Sequence, residues 1–534
     1  MSAEFDVAVV GFGAAGACAA IAAAERGARV VVIDCALGGG ASALSGGVVY
    51  AGGGTPYQEA AGKADDPENM FNYLRQEVQG VVDDDTLRRF CGESVDRLAW
   101  LEKHGAQFAG SLCEYKTSYP TDRHYLYYSG NEKAYPYHQS AVPAPRGHRQ
   151  VATGMSSGRV LWERLRDSAL RLGVEFLPMT RAEALEYDSD GRICGIRCRS
   201  LADADPATAA RFRRSAYLGA KITNWVPPVG RFFNRRAGGT FARRAVTRSI
   251  AADNVVLAAG GFVFNRDMLL QHAPAYRLIS PLGTEADDGS GIALGVSAGG
   301  ATAYLDRVTA WRFMSPPSAL LGGIAVGVDD RRIANEDLYG ATHSEIMVHE
   351  FDGKGFLIVD STIWRRARSQ LREQTLLFQR AQNSAVFTTE HHKAATLSEL
   401  AHTLGVSASG LEISVAQYNH AIASGSEDPM HKAAELCTPI TQGPFYGLDI
   451  SLRPSLAYFV PGLTLGGLKV HGETGLVLDA QGATIPGLYA AGRTAVGICS
   501  NSYVSGLALA DCVFSGKRAG EHAAAPRVIH SGAT

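Results

Sequence analysis

The sequence predicts an α/β fold that opens with a Rossmann-like nucleotide-binding unit. Three observations predict it. Phe5 to Val10 (FDVAVV) is a short, β-branched-rich run. It leads at once into Gly11-Phe12-Gly13-Ala14-Ala15-Gly16 and the helix former ACAAIAAAERG. A second strand pattern, ARVVVID, ends on Asp34, 18 residues after Gly16. Gly11 permits the tight turn, Gly13 lets backbone approach a pyrophosphate, and Gly16 lets helix and strand pack closely. The helix then points unpaired N–H groups and a favourable dipole at the phosphates, and Asp34 is placed to accept hydrogen bonds from a ribose. The apolar run Val7 to Ala24 is therefore a strand, a turn and a helix. A signal peptide would carry basic residues where Glu4 and Asp6 stand, and three glycines interrupt the run.

Composition bounds the rest. The 534 residues are 46% apolar and 19% charged with 60 Gly, which excludes disordered, coiled-coil and disulfide-scaffold classes. At roughly 150 residues per domain, two to four structural units are expected. Lys plus Arg is 51 against 53 Asp plus Glu, a net charge of −2, so no nucleic-acid partner is expected of the whole. Nine scattered Cys form no CxxC pair, and a reducing cytoplasm is the expected location. His391-His392 and the pair His343, His349 match no ligand spacing, so no metal is expected. No nucleophile elbow, P-loop or HExxH is present.

Further motifs select the cofactor. Gly38 to Gly54 (GGGASALSGGVVYAGGG) reads as too Gly-rich for helix or strand and suited to backbone run against a flat ligand. VVLAAGGF (255–262), EADDGSGIALGVSAG (285–299), IPGLYAAGR (485–493) and NSYVSGLALADCVFSGKRAG (501–520) follow. Together these resemble the flavoprotein family of fumarate reductases and 3-ketosteroid dehydrogenases. The resemblance implies FAD, held by Gly11, Gly13, Ala15, Gly16, Asp34, Ser42, Ala43, Ser45, Gly46, Gly47 and Gly492. Leu507 and Ala508, at the start of the last helix, would face the isoalloxazine carbonyl. Succinate-type members attach FAD through a His before the Ser-Gly-Gly stretch; Gly40 stands there, which implies a non-covalent flavin.

Fumarate reductases carry an HTMGG-like stretch and a proton-donating Arg after an Asn-Glu pair, cations that suit a dicarboxylate. Here the corresponding stretches are Leu463-Thr464-Leu465-Gly466-Gly467 and Asn335-Glu336-Asp337-Leu338-Tyr339. A site stripped of those cations suits a neutral, apolar molecule. LSGGVVYAGGGTP (44–56), PAPRGH (143–148), NEDLYG (335–340), LTLGGL (463–468) and NSYVSG (501–506) resemble 3-ketosteroid Δ4-(5α)-dehydrogenases. Δ1-dehydrogenases usually show Tyr-Pro-Gly where this chain has Tyr503-Val504-Ser505-Gly506. The Δ1 activity, a reductase of an unsaturated acid and a non-catalytic flavin protein are the alternatives.

Desaturation beside a ketone needs loss of an α proton, transfer of a β hydride to flavin N5, and a polarised carbonyl. By resemblance, Tyr503 hydrogen-bonds the C3 ketone together with a backbone N–H, that of Leu507, in the manner of an oxyanion hole. Tyr339 is the proton acceptor and Ser505 its orienter or relay. A Tyr with a pKa near 10 is a weak base, so polarisation or a relay must assist. Leu507 and Tyr119 are expected to touch substrate, and the cluster Tyr115, Tyr119, Tyr125, Tyr127, Tyr128 to roof the pocket or simply pack. An external electron acceptor is implied.

The resulting architecture is a discontinuous FAD-binding domain, 1–290 and 456–534, with an inserted α+β substrate domain, 291–455, supplying Tyr339. The closing AAAPRVIHSGAT reads as a disordered tail. One segment breaks the charge balance. Residues 206–249 hold ten cations (Arg211, Arg213, Arg214, Lys221, Arg231, Arg235, Arg236, Arg243, Arg244, Arg248) and no acid, interleaved with Phe212, Tyr217, Trp225, Phe232, Phe233 and Phe241. The remaining 490 residues carry 41 basic and 53 acidic groups, a net −12. This insertion fits a peripheral membrane attachment; an oligomer or partner contact, a mobile loop and a nucleic-acid patch are the alternatives.

Overall fold

The computed structural model describes residues 3–223, 226–312, 314–455 and 458–525. Trp225 and most of the expected tail lie outside the described residues. β1 (Phe5–Val10), α1 (Ala14–Glu25) and β2 (Val30–Ile33) form the opening unit. The two strands pair in parallel, Val7 opposite Val30 and Val10 opposite Ile33. All of β2 and all of β1 except Asp6 are buried, as in parallel sheets covered on both faces.

The Gly38–Gly54 stretch departs from expectation, because it contains both a helix, α2 (Gly40–Leu44), and a strand, β3 (Val48–Tyr50). Ala41-Ser42-Ala43-Leu44 is one turn made mostly of helix formers, and Val-Val-Tyr is a strong strand triplet. The glycines take the bends between them, Gly39 at φ 90° and Gly47 at φ 62°.

The main sheet gains β4 (Glu175–Leu177), β5 (Thr180–Tyr187) and β6 (Ile193–Ser200). The basic insertion follows as two helices, α3 (Pro206–Thr223) and α4 (Pro227–Arg244), and leads straight into β7 (Val246–Leu257). This strand begins well before the VVLAAGGF run at 255–262. Its first half runs antiparallel to β6, Val246 opposite Ser200, and its second half parallel to β1, Leu257 opposite Val10. Beyond it come β8 (Val308–Ala310), α5 (Gly340–Glu350), β9 (Phe356–Val359), β10 (Pro461–Thr464), β11 (Leu476–Leu478), β12 (Thr484–Ala490) and α6 (Leu507–Ala523). The eight-stranded sheet runs β11-β12-β7-β1-β2-β4, with β5 and β6 as an antiparallel wing.

A second apolar core gathers Val263, Leu269 and Tyr276 with Leu357, Ile358, Trp364, Tyr418 and Val460. It surrounds an antiparallel sheet in which β9 pairs with 324–326 and 445–449. Ile292 and Leu294 return to the first sheet, so the chain crosses between the two cores more than once. α6 lies directly on α1. A Cβ at Gly516 would stand 2.3 Å from the Ala15 carbonyl oxygen, and one at Gly520 2.1 Å from that of Ala19. This contact carries the start of α6 to the glycine turn of β1. No helix among the described residues is long and apolar enough to cross a membrane.

Candidate active site

The three glycines of the first turn differ in what demands them. Gly11 has φ +101°, and a Cβ there would lie 2.5 Å from the Ala258 carbonyl oxygen. A Cβ on Gly16 would lie 1.9 Å from the Gly11 carbonyl oxygen. The fold itself excludes side chains at both. Gly13 has ordinary backbone, φ −80°, and its Cβ would meet only Ser42 Oγ at 3.4 Å and Gly39 O at 3.9 Å. Protein packing does not require a glycine there; a ligand running over the turn does. Gly13 caps α1 without a side chain, and no acid stands in the first turn, which leaves the helix N-terminus for an anion.

Asp34, expected at a ribose, works within the protein. Its carboxylate accepts from the N–H groups of Phe12 (2.9 Å), Ala36 (2.8 Å) and Gly38 (3.2 Å), leaving room for about one more donor of the roughly four a carboxylate accommodates. A cleft opens beside it between Gly11, Thr180, Arg181 and Ala182. Ser42 Oγ accepts from the Ala14 N–H (3.0 Å), while Ser45 Oγ donates to the Ser42 carbonyl (2.7 Å). Ala43 closes α2 by donating to the Gly39 carbonyl. A Cβ on Gly47 would lie 2.3 Å from the Ser157 carbonyl carbon, so backbone packs on backbone there. Gly492, at φ +59°, packs on Ala15. Next to it the buried Arg493 pairs with Asp287, yet its Nη1 has no hydrogen-bond partner. An orphaned buried guanidinium N–H beside this turn fits an anionic cofactor.

The three residues expected to do chemistry come together. Tyr339 caps α5, and its N–H donates to Asn131 Oδ1 at 2.6 Å. The preceding loop is pinned by the Asn-Glu pair. Glu336 accepts from Arg332 (2.6 Å) and the Ala325 N–H (2.8 Å), with Lys432 at 3.3 Å. Burial opposes the Glu336 charge, yet Lys432 and Arg332 hold its carboxyl below the ordinary range. The Tyr339 and Tyr503 rings are 6.4 Å apart, and Tyr503 stacks on Trp311 at 5.3 Å and 11°. Ser505 Oγ lies 2.8 Å from the Tyr127 hydroxyl and close enough to Tyr339 to favour its ionised form. Burial, then the neighbouring Tyr503 and Tyr127, push the Tyr339 phenol well above its ordinary value, against the pull of Ser505. Burial pushes Tyr503 up to about 12.

Tyr503 faces a narrow cleft lined by Tyr276, Val308, Ala310, Ala341, Glu345 and Leu465, together with Asn501 and Ser502. Its walls carry no Lys, Arg or His among the described residues. Glu345 is the one ionisable carboxyl, and burial raises its pKa. Leu463 stands on β10 opposite Thr309 of β8 and packs with Trp311, Tyr339 and Leu465.

Two expected contacts are used differently. The Leu507 N–H donates to the Val504 carbonyl at 3.1 Å and is therefore spent within the turn. The Gly506 and Ala508 N–H groups have no acceptor among the described residues. Tyr119 donates to the Gly46 carbonyl at 2.8 Å, and a Cβ on Gly46 would lie 2.5 Å from its ring, so Tyr119 braces the flavin-side turn. Tyr127, Asn131 and Trp311 were not singled out as chemical groups by their own motifs. Tyr127 belonged to the tyrosine cluster, but its partner lies 378 positions away, and no local spacing reports that.

Comparison with known proteins gives the frame. The family model described as FAD binding domain matches residues 6–506. The chain is 39% identical over 495 residues to 3-oxo-5-alpha-steroid 4-dehydrogenase of Comamonas testosteroni, covering 91% of this chain and 92% of that protein. Its fold is similar to the crystal structure of 3-ketosteroid Δ4-(5α)-dehydrogenase from Rhodococcus jostii RHA1 in complex with 4-androstene-3,17-dione, with TM-score 0.82 and 31% identity over 98% of this chain and 97% of that one. The 3-ketosteroid Δ1-dehydrogenase of Sterolibacterium denitrificans shares the fold at TM-score 0.68 and 19% identity, over 97% and 99% of the two chains. With a glycine turn shaped for a dinucleotide and a family match across nearly its whole length, this chain belongs to the FAD-dependent flavoproteins of the FAD binding domain family, in the branch that contains the 3-ketosteroid dehydrogenases.

Proposed function

We propose that this protein desaturates 3-ketosteroids, introducing the C4–C5 double bond into 5α-3-ketosteroids. One observation carries the reading: the hydrogen-bonded hydroxyls of Ser505 and Tyr127 lie with the Tyr339 phenol beside Tyr503, at a cleft without cations among its described lining residues. A dicarboxylate would leave its charges unpaired there, whereas an apolar ring system with a single ketone matches the lining. Identity to 3-oxo-5-alpha-steroid 4-dehydrogenase supports the same assignment.

Bound FAD supplies the two-electron acceptor for the hydride that leaves C5. The chain's own groups handle the proton and the carbonyl. Tyr503, protonated at neutral pH because burial raises it, donates to the C3 ketone, and the free N–H of Gly506 is the second donor in place of that of Leu507. Together they acidify the C4 proton by stabilising enolate character. Tyr339 takes that proton while its own moves to Ser505 and on to Tyr127, which releases its own proton towards solvent, so every hydroxyl ends neutral. A relay is needed because a buried phenol above its ordinary pKa cannot rest ionised. The region 291–455 supplies Tyr339 and Trp311 to a site whose Tyr127, Tyr503 and Ser505 come from the flanking segments, as in a discontinuous FAD-binding domain with an inserted α+β domain. Gly40 offers no side chain for a covalent link, so FAD dissociates on denaturation, and an external acceptor reoxidises it.

Anaerobic bleaching of the flavin by a panel of saturated 5α, 5β and Δ4 3-ketosteroids, with succinate as control, tests the reading. Bleaching by 5α-3-ketones alone supports it, bleaching by Δ4-3-ketones moves the activity to C1–C2, and no bleaching by any steroid overturns it.

A further inference from the structure

The basic insertion is a helical hairpin with a defined base, a locked middle and an unpartnered tip. At the base, Phe212 and Ala237 are buried with Met179 and Leu201, and Leu37 packs beside them. Arg199 ties the hairpin down by donating to the Ala242 and Ala245 carbonyls at 2.9 and 3.1 Å. Further out the helices interlock. A Cβ on Gly230 would lie 2.3 Å from Thr223 Oγ1, and Asn234 Nδ2 donates to that same oxygen at 3.0 Å. Each 18-residue helix is about 27 Å long at the usual rise, so the tip is held well away from the base.

The inner faces are used up by this packing, and the outer faces are cations and apolar side chains. Val226, Val229, Phe232 and Tyr217 are 48%, 44%, 60% and 57% exposed, values that leave most of each side chain in water. Lys221, Arg231 and Arg235 are exposed among them. None of the ten cations forms a salt bridge with a described residue, and the acids nearest in sequence, Asp203 and Asp205, stand at the base.

We propose that the tip of this hairpin docks on an anionic lipid surface. Val226, Val229 and Phe232 would enter the headgroup boundary while Lys221, Arg231 and Arg235 meet lipid phosphates. A second copy meeting this one tip to tip fits poorly, since it would bring an equally cationic surface against it. Nucleic acid fits poorly because a phosphate backbone would leave the exposed Val226 and Val229 side chains in water. No helix among the described residues is long and apolar enough to span, so the hairpin lies on the bilayer rather than through it. Its base adjoins Leu37 and Met179, beside Asp34 and not among the residues of the Tyr503 cleft. Docking is therefore separable from turnover, and it holds whichever steroid bond is desaturated.

Flotation of the flavin-loaded protein with phosphatidylcholine vesicles, and with vesicles containing phosphatidylglycerol, tests this. Binding to the anionic vesicles alone, weakening as salt rises, is expected. The double variant Arg231→Gln/Arg235→Gln should lower partitioning by about 30-fold, at about fivefold for each cation near the surface. The variant Val229→Asp/Phe232→Asp should lower it by about tenfold or more. Both should keep the flavin spectrum and steroid turnover of the parent, which shows that they fold. Equal binding to neutral vesicles, or binding unmoved by both variants, overturns the proposal. So does dissociation of an oligomer by the tip variants, or duplex DNA retained where vesicles are not.

Discussion

Replacing Tyr339 by Phe deletes one oxygen from the hydroxyl chain and leaves the ring in its packing. The structural cost is small. Ser505 Oγ keeps its 2.8 Å contact with Tyr127, so the loss is at most that of one neutral hydrogen-bonding hydroxyl, worth about 0.5–1.5 kcal/mol. The backbone anchor to Asn131 at 2.6 Å is untouched. The chemical cost is large if this phenol accepts the C4 proton, because positioned acid–base groups contribute about 10²–10⁴ in rate, or about 3–5 kcal/mol of barrier. Anaerobic stopped-flow reduction of the flavin at saturating 5α-3-ketosteroid reads the chemical step, and a Δ4-3-ketone perturbing the flavin spectrum reads binding. Flavin reduction slowed by two or more decades, with binding and flavin content unchanged, is the expected result. A reduction rate within about threefold of the parent, far less than such a group supplies, would refute the assignment and shift the proton to Ser505 or Tyr127. Equal losses of rate and of steroid affinity would instead make Tyr339 a packing residue.

Three further outcomes follow from the same geometry. Tyr503 must stay protonated to polarise the ketone, and burial raises it from 10.0 to about 12; flavin reduction should therefore show no falling limb near pH 10, and one centred there would contradict its role. Gly13→Val should fold and lose FAD, since its Cβ meets only ordinary contacts, whereas Gly11→Val should fail to fold, with its Cβ 2.5 Å from the Ala258 carbonyl; flavin content and circular dichroism of the two separate ligand from fold. Burial holds His148 and His343 down to about 4. The unfolded chain protonates both near 6.5, so it binds more protons than the native state and stability falls as pH drops from 6.5 towards 4, by about 3 kcal/mol for each His. Urea unfolding at neutral pH and at pH 5 measures it; equal midpoints would show that other groups compensate.

Much of the nucleotide site was legible because its requirements are local. Gly11, Gly16 and Asp34 act within one strand–turn–helix–strand, where φ, Cβ clearance and backbone N–H geometry are set by neighbours in the chain. The same locality explains the misreading of Gly38–Gly54. Glycine count suggested irregular backbone, but the short runs ASAL and VVY between the glycines are enough for a helical turn and a strand. The basic segment was visible as charge, while its helicity was not, since Gly230, Gly238 and Gly239 weaken any helical reading. Its helices are stabilised by packing on each other at Gly219, Thr223 and Gly230.

The sequence by itself determined the βαβ nucleotide turn, the loss of the cations that would hold a dicarboxylate, and the three residue types able to polarise a ketone and move a proton. Only the tertiary structure decided that Tyr127 completes the hydroxyl chain, that Asn131 fixes Tyr339, that Trp311 backs Tyr503, and that the Leu507 N–H is already spent on Val504. Those contacts join segments as far as 378 positions apart. Hydrogen bonds form between whatever groups the packed cores bring within about 3 Å, and no pattern along the chain encodes which ones those will be.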